Sequence, residues 1–445
     1  MMSDDGGEGA PTTVTGMDAS VGAGADERST APTRRPLARL IAIALGALLI
    51  LGAVISYALT YHAPWKRSGP PITAAGWAPY WQTDSALASF SANVAMFSDV
   101  SMFAYSTTAA DSVTPYAGLD PNAPLLFKRD ARAQGVQVVA SIIDATKPRE
   151  MAAILADPST RATHVRTIVQ FAVDGGYDGV DLDYENFAFN DGRGTWPVTR
   201  PNWVAFLTEL AAALHAQSKS LAVSVPPVYD ARQTDLSGYW VYDYAAMGQV
   251  VDHIRIMAYD FSTAEAGPIA PLDWVKTLVK AAKSMVPASK LVLGVPVYGY
   301  DWPIATVGIC PADKTPRRKN LSGKSAAVLA TAKGVVPIWD PVRAERTFSY
   351  VEQLSGNDPA GKPVVCTVNR TVWYADSQAV YERAWLAERQ DLSGISLWSL
   401  GSEDELSWTA IASARVHVRG WTPESVMTQQ SQSTSTPVTR TSLSP

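Results

Sequence analysis

The sequence predicts a parallel (β/α)8 barrel that carries an added α+β segment and is preceded by one transmembrane helix. Eight short apolar runs occur along the 445 residues. Most of them begin about 27 to 42 residues after the previous one, which is the spacing of βα units in such a barrel. Amphipathic stretches such as 203–215 and 274–285 lie in the intervals and have the period of helices that cover a sheet. The predicted strands are 72–77, 100–105, 136–143, 179–184, 221–225, 254–259, 291–297 and 395–398.

The composition is that of a globular chain and excludes several classes of function. Hydrophobic residues make up 47% of the chain and charged residues 18%. The formal net charge of −5 provides no basic field for a nucleic-acid backbone, so we expect no nucleic-acid partner. Two cysteines without a CxxC pair exclude zinc ribbons, and five histidines scattered singly support neither a serine triad nor a histidine metal site. We therefore predict no metal and no cofactor.

The last interval between predicted strands is about a hundred residues long, far more than a βα unit needs. It contains segments of strand composition, TFSYVEQL and PVVCTVNRTVWY. We predict a barrel domain over 72–301 and 375–420, with an α+β insertion at 302–374 between the seventh and eighth strands. Cys310 and Cys366 both fall inside the insertion. If this part is extracytoplasmic, a disulfide between them is expected, and two buried free thiols are the alternative.

The N-terminal region predicts a membrane anchor at 39–60. Residues 40–59 carry no charge and are long enough to cross a bilayer as a helix. Three closely spaced arginines precede the run and two basic residues follow it, a bias that places the N-terminus in the cytoplasm. The expected location is therefore the cell membrane, crossed once, with the barrel domain outside. A cleaved signal peptide, which would give a secreted form, and a buried core helix are the alternatives.

Segments rich in small and polar residues flank the predicted folded part. Residues 1–38 have no apolar periodicity and predict a disordered cytoplasmic tail. Residues 61–71 form the linker to the barrel. Residues 421–445 are rich in Ser and Thr and predict a second disordered tail.

The chemistry is concentrated on the fourth predicted strand, in the segment DGVDLDYE at 178–185. Acids occupy every second position at Asp181, Asp183 and Glu185, and the residues between them are apolar. Since side chains alternate along a strand, the three carboxyls share one face, which is the interior of a barrel. Three carboxyls in a low-dielectric interior cannot all be ionised, so at least one is expected to hold a proton near neutral pH.

Glu185 lies at the carboxyl end of this strand, where barrel enzymes hold their reactive groups. A raised pKa would suit it to general acid catalysis. A solvated strand edge or a helix N-cap is the structural alternative, but the interleaved apolar residues argue against it. A calcium loop is the other alternative, and it would need Gly at the position of Asn186.

These residues resemble glycoside hydrolase family 18, the chitinase-like barrels. DGVDLDYE matches the family signature DGxDxDxE at every acidic position. MAYD at 257–260 resembles the family's sixth-strand M-x-Y-D element, and GISLW at 394–398 resembles its eighth-strand segment. The segments LGVPVYGYDW, VWYADS and SLWSLGSED are most similar to the bacterial branch that includes spore-cortex-lytic N-acetylglucosaminidases. The resemblance covers about residues 72 to 415 and also implies the insertion after the seventh strand.

The resemblance implies a retaining mechanism in which the 2-acetamido group of the substrate is the nucleophile. Glu185 would protonate the glycosidic oxygen and later activate water. Asp183 would orient the acetamide and stabilise the developing positive charge, and Asp181 would share a proton with Asp183. Tyr259 would donate a hydrogen bond to the acetamido oxygen.

Further residues are expected to bind substrate or to support the motif. Trp398 would form the apolar floor under the sugar, with Met257 and Asp260 lining the same subsite. Tyr80, in GWAPYW at the end of the first strand, could stack on sugar or belong to a packed aromatic lid. Asp178 and Gly179 are expected to support the motif without reacting.

Two classes of function remain open from the sequence. The first is a hydrolase that cleaves β-1,4 bonds beside N-acetylglucosamine, in chitin-type oligomers or in cell-wall peptidoglycan. The second is a glycan-binding, lectin-like protein on the same barrel without catalysis. Because Glu185 is present, the sequence favours the enzyme.

Overall fold

A computed structural model describes residue 67 and residues 69–426 of the chain. Strands and helices alternate through most of this part, as the sequence predicts. The strands are β1 Thr73–Pro79, β2 Asp99–Ala109, β3 Ser112–Pro115, β4 Gln137–Asp144, β5 Gly179–Asp183, β6 Ser220–Val225, β7 His253–Ile256, β8 Leu291–Pro296, β9 Tyr298–Gly308, β10 Lys319–Ser322, β11 Ile338–Asp340, β12 Glu345–Asn357, β13 Pro363–Tyr374 and β14 Gly394–Trp398.

The α-helices lie mainly between the strands and cover the outside of the sheet. Apolar residues on their inner faces join the strand residues in one large core. The helices are α1 Thr83–Asn93, α2 Ala123–Arg132, α3 Glu150–Ala156, α4 Pro158–Asp174, α5 Asn186–Phe189, α6 Trp196–His215, α7 Tyr244–Val250, α8 Leu272–Lys283, α9 Gly323–Ala332, α10 Ser377–Arg389 and α11 Ser407–Arg415.

Eight parallel strands close into a barrel. Around the ring the order is β1, β2, β4, β5, β6, β7, β8 and β14, and β14 pairs with β1 to complete the circle. The short strand β3 is antiparallel to β2 and lies beside the ring. The predicted barrel is therefore confirmed, and each of its strands corresponds to one of the eight apolar runs.

The sixth strand of the barrel is shorter than predicted. The apolar run reaches residue 259, but β7 ends at Ile256. The amide of Ala258 bonds to the carbonyl of Ile256, and Asp260 adopts a left-handed conformation with φ of 57°. The chain therefore turns away from the sheet just before the acid, which positions Tyr259 and Asp260 at the mouth of the barrel.

A second sheet lies between β8 and β14 in the chain. It has five antiparallel strands in the order β10, β9, β13, β12 and β11. Helix α9 packs on one face, where Ala326, Phe348 and Tyr374 share a small core. The first strand of this sheet in chain order, β9, begins at Tyr298. Only Val297 separates it from β8, so the two strands read as a single run in the sequence. Cys310 and Cys366 form a disulfide with an S–S distance of 2.03 Å.

The carboxyl-terminal limit of the folded part differs from the prediction. Trp421 is only 4% exposed, and its ring lies 5.7 Å from that of Tyr381. The predicted tail at 421–445 therefore starts too early, because a large apolar ring gains free energy by burial whatever the composition that follows it.

Within residues 69–426, no helix combines the length and the apolar character needed to cross a membrane. The predicted span at 39–60 and the predicted tail at 1–38 lie outside the described residues.

Candidate active site

The predicted row of carboxyls lies inside the barrel, on β5. Asp181 and Asp183 are buried, and the partners of Asp181 come from four other barrel strands, which only an inward-facing side chain can reach. The intervening apolar residues face the helices and are also buried. At Gly179, a Cβ atom would lie 2.2 Å from Oγ of Ser220, so only glycine allows β5 to pack this closely against β6.

Asp181 is fully hydrogen-bonded. Its Oδ2 accepts from Nε1 of Trp77 at 2.9 Å, from Oγ of Ser101 at 3.2 Å and from Nη1 of Arg255 at 3.3 Å. Its Oδ1 accepts from Oγ of Ser224 at 2.8 Å. The interior thus offers the Asp181 carboxyl three neutral donors and one guanidinium.

Asp183, one pleat higher on the same strand, has a different environment. Its Oδ1 is buried without a hydrogen-bond partner. Burial, followed by the neighbouring charges of Glu185 and Asp181, raises the pKa of Asp183 well above its ordinary value. Asp183 is therefore expected to hold a proton near neutral pH.

Glu185 lies two residues after Asp183, the last residue of β5, and directly precedes α5. Burial is the main cause that raises the pKa of Glu185 to about 7, and the charge of Asp260 adds to it. A carboxyl with a pKa in this range is protonated often enough at neutral pH to donate a proton, and it regains one readily. Asp183 and Glu185 thus form the upper layer of the barrel interior, and among the described residues no Lys, Arg or His lines the cavity beside them.

Tyr259 and Asp260 follow β7, two strands from β5 around the ring, and lie at the barrel mouth. Oδ1 of Asp260 accepts hydrogen bonds from the hydroxyls of Tyr298 at 2.5 Å and Tyr300 at 2.6 Å, so the second sheet holds this acid in place. Burial raises the pKa of Tyr259 well above its ordinary value, and the phenol remains a hydrogen-bond donor.

A cavity of about 550 Å³ opens above the carboxyls. The ring of Trp398 borders it and meets the rings of Phe103 and Trp77 edge-on, at 4.7 and 5.8 Å between centroids. The size and the mixture of apolar walls with a few polar groups are typical of a ligand site. The cavity is lined by Trp77, Phe103, Asp183, Glu185, Phe189, Ser224, Pro226, Pro227, Tyr229, Tyr239, Met257, Tyr259, Asp260, Phe261, Thr263, Trp274 and Trp398.

Comparison with known families identifies this arrangement. Residues 60–404 match the family described as "Glycosyl hydrolases family 18". The chain belongs to glycosyl hydrolase family 18. It is a glycosidase, and a role in hydrolysing glycans follows from its family.

Several relatives of this family 18 glycosidase come from bacteria. The chain is 26% identical over 261 residues to "Uncharacterized glycosylase YvbX" of Bacillus subtilis, covering 58% of this chain and 67% of the relative. It is 26% identical over 257 residues to "Cortical fragment-lytic enzyme" of Bacillus anthracis, covering 57% of this chain and 54% of the relative. The matches therefore span about half to two-thirds of these relatives.

Among solved structures, a chitinase from Chromobacterium violaceum aligns with a TM-score of 0.63 and 26% identity. That alignment covers 77% of this chain and 98% of the chitinase.

The structure brings most of the sequence-predicted residues of this family 18 site together, but it does not bring Tyr80. Met257 and Trp398 line the cavity with the carboxyls. Tyr80 lies outside the cavity lining, and its ring stacks on Tyr116 at 4.6 Å. Of the two expectations for Tyr80, the packed aromatic one fits its position, because an aromatic partner already covers one face of the ring.

Oδ2 of Asp178 accepts a hydrogen bond from the amide of Val138 at 2.8 Å, which ties β5 to β4.

Sequence reasoning missed the groups that surround Asp181. Arg255 is 2% exposed, and it lies two residues before the M-x-Y-D element, on the inward face of β7. An arginine within the apolar run HIRIM, on the same strand face as Met257, was a usable indication of a buried partner for an interior acid. Ser101 and Ser224 gave no such indication, since serine on an inward face is common in any barrel.

Among residues 67 and 69–426, no group of three or more His, Cys, Asp or Glu side chains is arranged to hold a metal ion.

Proposed function

We propose that this enzyme hydrolyses β-1,4 bonds of N-acetylglucosamine-containing glycans with retention of configuration, by substrate-assisted catalysis. The observation that carries the proposal is the pair of Asp183 and Glu185 at the base of an aromatic cavity, whose lining, within the part of the chain that the structure describes, contains no Lys, Arg or His. Such a pair supplies one protonated acid and one group that can stabilise positive charge next to it.

Glu185 is the proposed general acid and base. Its raised pKa keeps a proton available near neutral pH, and its position at the carboxyl end of β5 faces the cavity. The proton would pass to the glycosidic oxygen as the bond to the anomeric carbon breaks. In the second half of the reaction, Glu185 would take a proton from the water that attacks the same carbon.

Asp183 and Tyr259 are proposed to act on the acetamido group. Both line the cavity beside Glu185. The carboxyl of Asp183 would orient the acetamide nitrogen, while the phenol of Tyr259 would donate to the acetamido oxygen as that oxygen bonds to the anomeric carbon. Positive charge then develops on the ring formed, and the carboxylates below it offset that charge.

Trp398, Met257 and Asp260 are proposed to bind the sugar. Trp398 presents an aromatic surface to the cavity, suited to the apolar face of a pyranose. The hydroxyls of Tyr298 and Tyr300 fix the Asp260 carboxylate, which can accept hydrogen bonds from sugar hydroxyls with its remaining oxygen.

The substrate class rests on the relatives. One is named a chitinase and another a cortical fragment-lytic enzyme, and we propose that this chain likewise acts on chitin-type oligomers or on cell-wall peptidoglycan. Both contain the acetamido group that the mechanism requires.

Replacement of Glu185 by Gln tests the proposal. Incubation of N-acetylglucosamine oligomers and peptidoglycan fragments with the variant should yield products about 10²–10⁴-fold more slowly than with the wild type, as quantified by mass spectrometry. Glu405→Gln is the matched control, because its side chain is 86% exposed. Undiminished hydrolysis by Glu185→Gln would refute the assignment. Tight binding by the wild type without any product would instead support a glycan-binding protein.

We also propose that the catalytic domain lies outside the cytoplasm, anchored by residues 39–60. The Cys310–Cys366 disulfide supports this location, because disulfides persist mainly in oxidising compartments. The protein should resist alkaline extraction from membranes, and external protease should digest it in intact cells lacking their wall. Protection from that protease would contradict the proposed orientation, and a soluble, shortened form would indicate cleavage and secretion.

A further inference from the structure

Arg255 is a buried cation in the lower part of the barrel interior. Its Nη1 lies 3.3 Å from Oδ2 of Asp181, and its Nη2 lies 2.5 Å from Oδ1 of Asp99. The same Nη1 also donates to Oγ of Ser101, which itself donates to Asp181. The guanidinium thus connects two carboxylates from β2 and β5.

The guanidinium keeps its charge in this position. Burial alone would lower the pKa of Arg255, but the carboxylates of Asp181 and Asp99 outweigh burial and raise it. Its titratable and polar surroundings come from several elements around the ring. They are Trp77 of β1, Asp99 and Ser101 of β2, Asp181 of β5, His253 of β7 and Tyr259 after β7.

We infer that Arg255 is a positioning residue that holds Asp181 as an anion, so that the mobile proton of the carboxyl row is confined to Asp183 and Glu185. The inference rests on the proposed function and specifies which carboxyl groups hold the proton used in catalysis. It differs from the expectation that Asp181 and Asp183 share a proton. A carboxylate with a guanidinium and three neutral donors has little to gain from a proton, whereas Asp183 has a buried oxygen with no partner.

The proton balance closes without Asp181. When the glycosidic bond breaks, the proton of Glu185 forms an O–H bond with the leaving oxygen, and the acetamido oxygen bonds to the anomeric carbon. When water attacks, its oxygen displaces the acetamido oxygen, and its proton returns to Glu185. Asp181 stays anionic throughout and provides a fixed negative charge below the developing cation.

The first experiment counts protonated carboxyl groups by infrared spectroscopy at pH 7 and does not depend on activity. The double variant Arg255→Met, Asp99→Asn removes the cation together with Asp99, its second carboxylate partner. Of the two carboxylates that contact the guanidinium in the wild type, Asp181 alone then remains. Relative to the wild type, the double variant should show one additional protonated carboxyl. Arg255→Lys should show none. An unchanged count in the double variant would overturn the inference, because it would mean that Trp77, Ser101 and Ser224 suffice to keep Asp181 ionised.

The second experiment is the pH profile of kcat/KM on an N-acetylglucosamine oligomer. Loss of the cation raises the proton affinity of the row, so the acidic limb should move up by about one pH unit or more in Arg255→Met, or in the double variant if the single one does not fold. Arg255→Lys should keep the wild-type limb even if kcat falls. Arg370→Met removes another buried guanidinium, paired with Asp301 in the second sheet, and should leave the limb in place.

These outcomes separate the inference from the proposed function. Unshifted limbs in the Arg255 variants, alongside hydrolysis that depends on Glu185, would overturn the role of Arg255 alone. Hydrolysis that does not depend on Glu185 would overturn the proposed function, and the infrared count would still decide the charge of Asp181.

Discussion

The barrel interior contains two layers of carboxyl groups, and Asp181 and Asp183, one from each layer, are both buried but have different partners. In the lower layer, Asp181 accepts three neutral hydrogen bonds and faces a guanidinium. In the upper layer, Asp183 has a buried oxygen without a partner, and its nearest charged neighbours are carboxylates. Two residues of one strand therefore have different partners because of what the neighbouring strands supply.

This difference divides the work between the layers. The lower layer resembles a structural ion pair: it connects strands across the barrel and holds a constant charge. No cation of residues 67 and 69–426 lines the cavity at the upper layer, so its protons can move, which is what an acid–base catalyst requires. Burial makes ionisation of a carboxyl unfavourable in both layers. Hydrogen-bond donors and a guanidinium offset this cost in the lower layer, at Asp181, but Oδ1 of Asp183 in the upper layer has no such partner.

Asparagine substitutions at Asp183 and Asp181 should test the difference between the two layers most clearly. Asp183→Asn should reduce kcat by about 10²–10³-fold, because it removes the carboxyl proposed to orient the acetamide, and an amide cannot ionise as positive charge develops beside it. Its free energy of unfolding should be equal to or above that of the wild type, since it replaces a buried carboxyl that has an unpaired oxygen. Enzyme assays and urea unfolding measure the two effects.

Asp181→Asn should instead reduce stability. Arg255 would keep only one carboxylate partner, Asp99, and breaking one side of a buried ion pair costs about 3 kcal/mol. Urea unfolding of both variants under the same conditions makes the comparison. Equal losses of stability at Asp181 and Asp183 would show that the layers do not differ as described.

A smaller effect is expected at the mouth. Asp260→Asn removes the charge that helps to raise the pKa of Glu185, so that pKa should fall and the basic limb of the pH profile should move to lower pH by less than about one unit. Asparagine retains the acceptor oxygen and tolerates the left-handed backbone at this position. Because Asp260 is exposed, added salt should weaken the shift.

Tyr298→Phe is the control for that shift. It removes one hydrogen bond to Asp260 and leaves the charge in place, so the basic limb should stay close to that of the wild type. A shift in Tyr298→Phe as large as that in Asp260→Asn would mean that the hydrogen bond, and not the charge, sets the pKa of Glu185.

Most of the barrel could be predicted from the sequence, because the position of a strand and the direction of its side chains depend on residues that are neighbours in the chain. Each apolar run became a strand, and the alternation of acids on β5 fixed which side chains face inward. The limits of this reasoning are equally physical. β8 and β9 are separated by Val297 alone, and a change of sheet between two apolar strands leaves no mark in composition.

The partners of the carboxyls could not be predicted in the same way. Trp77, Ser101 and Arg255 lie far from Asp181 in the chain, and their contacts depend on the register of strands around a closed ring. The alternation of acids alone therefore predicts that a proton is held somewhere in the row, but the geometry of the neighbouring strands is needed to assign it. Tyr80 shows the same limit, since only the position of Tyr116 reveals that one face of its ring is already covered.

The most direct test of the central claim is the pH dependence of hydrolysis by the wild-type enzyme on two substrates. One is an N-acetylglucosamine oligomer, whose leaving group needs a proton, and the other is an aryl glycoside of the same sugar, whose leaving group does not. We predict that the rate of bond cleavage in the oligomer falls above a pH of about 7, as Glu185 loses its proton, and that cleavage of the aryl glycoside shows no such fall. An oligomer rate that stays constant or keeps rising well above pH 7 would contradict the account.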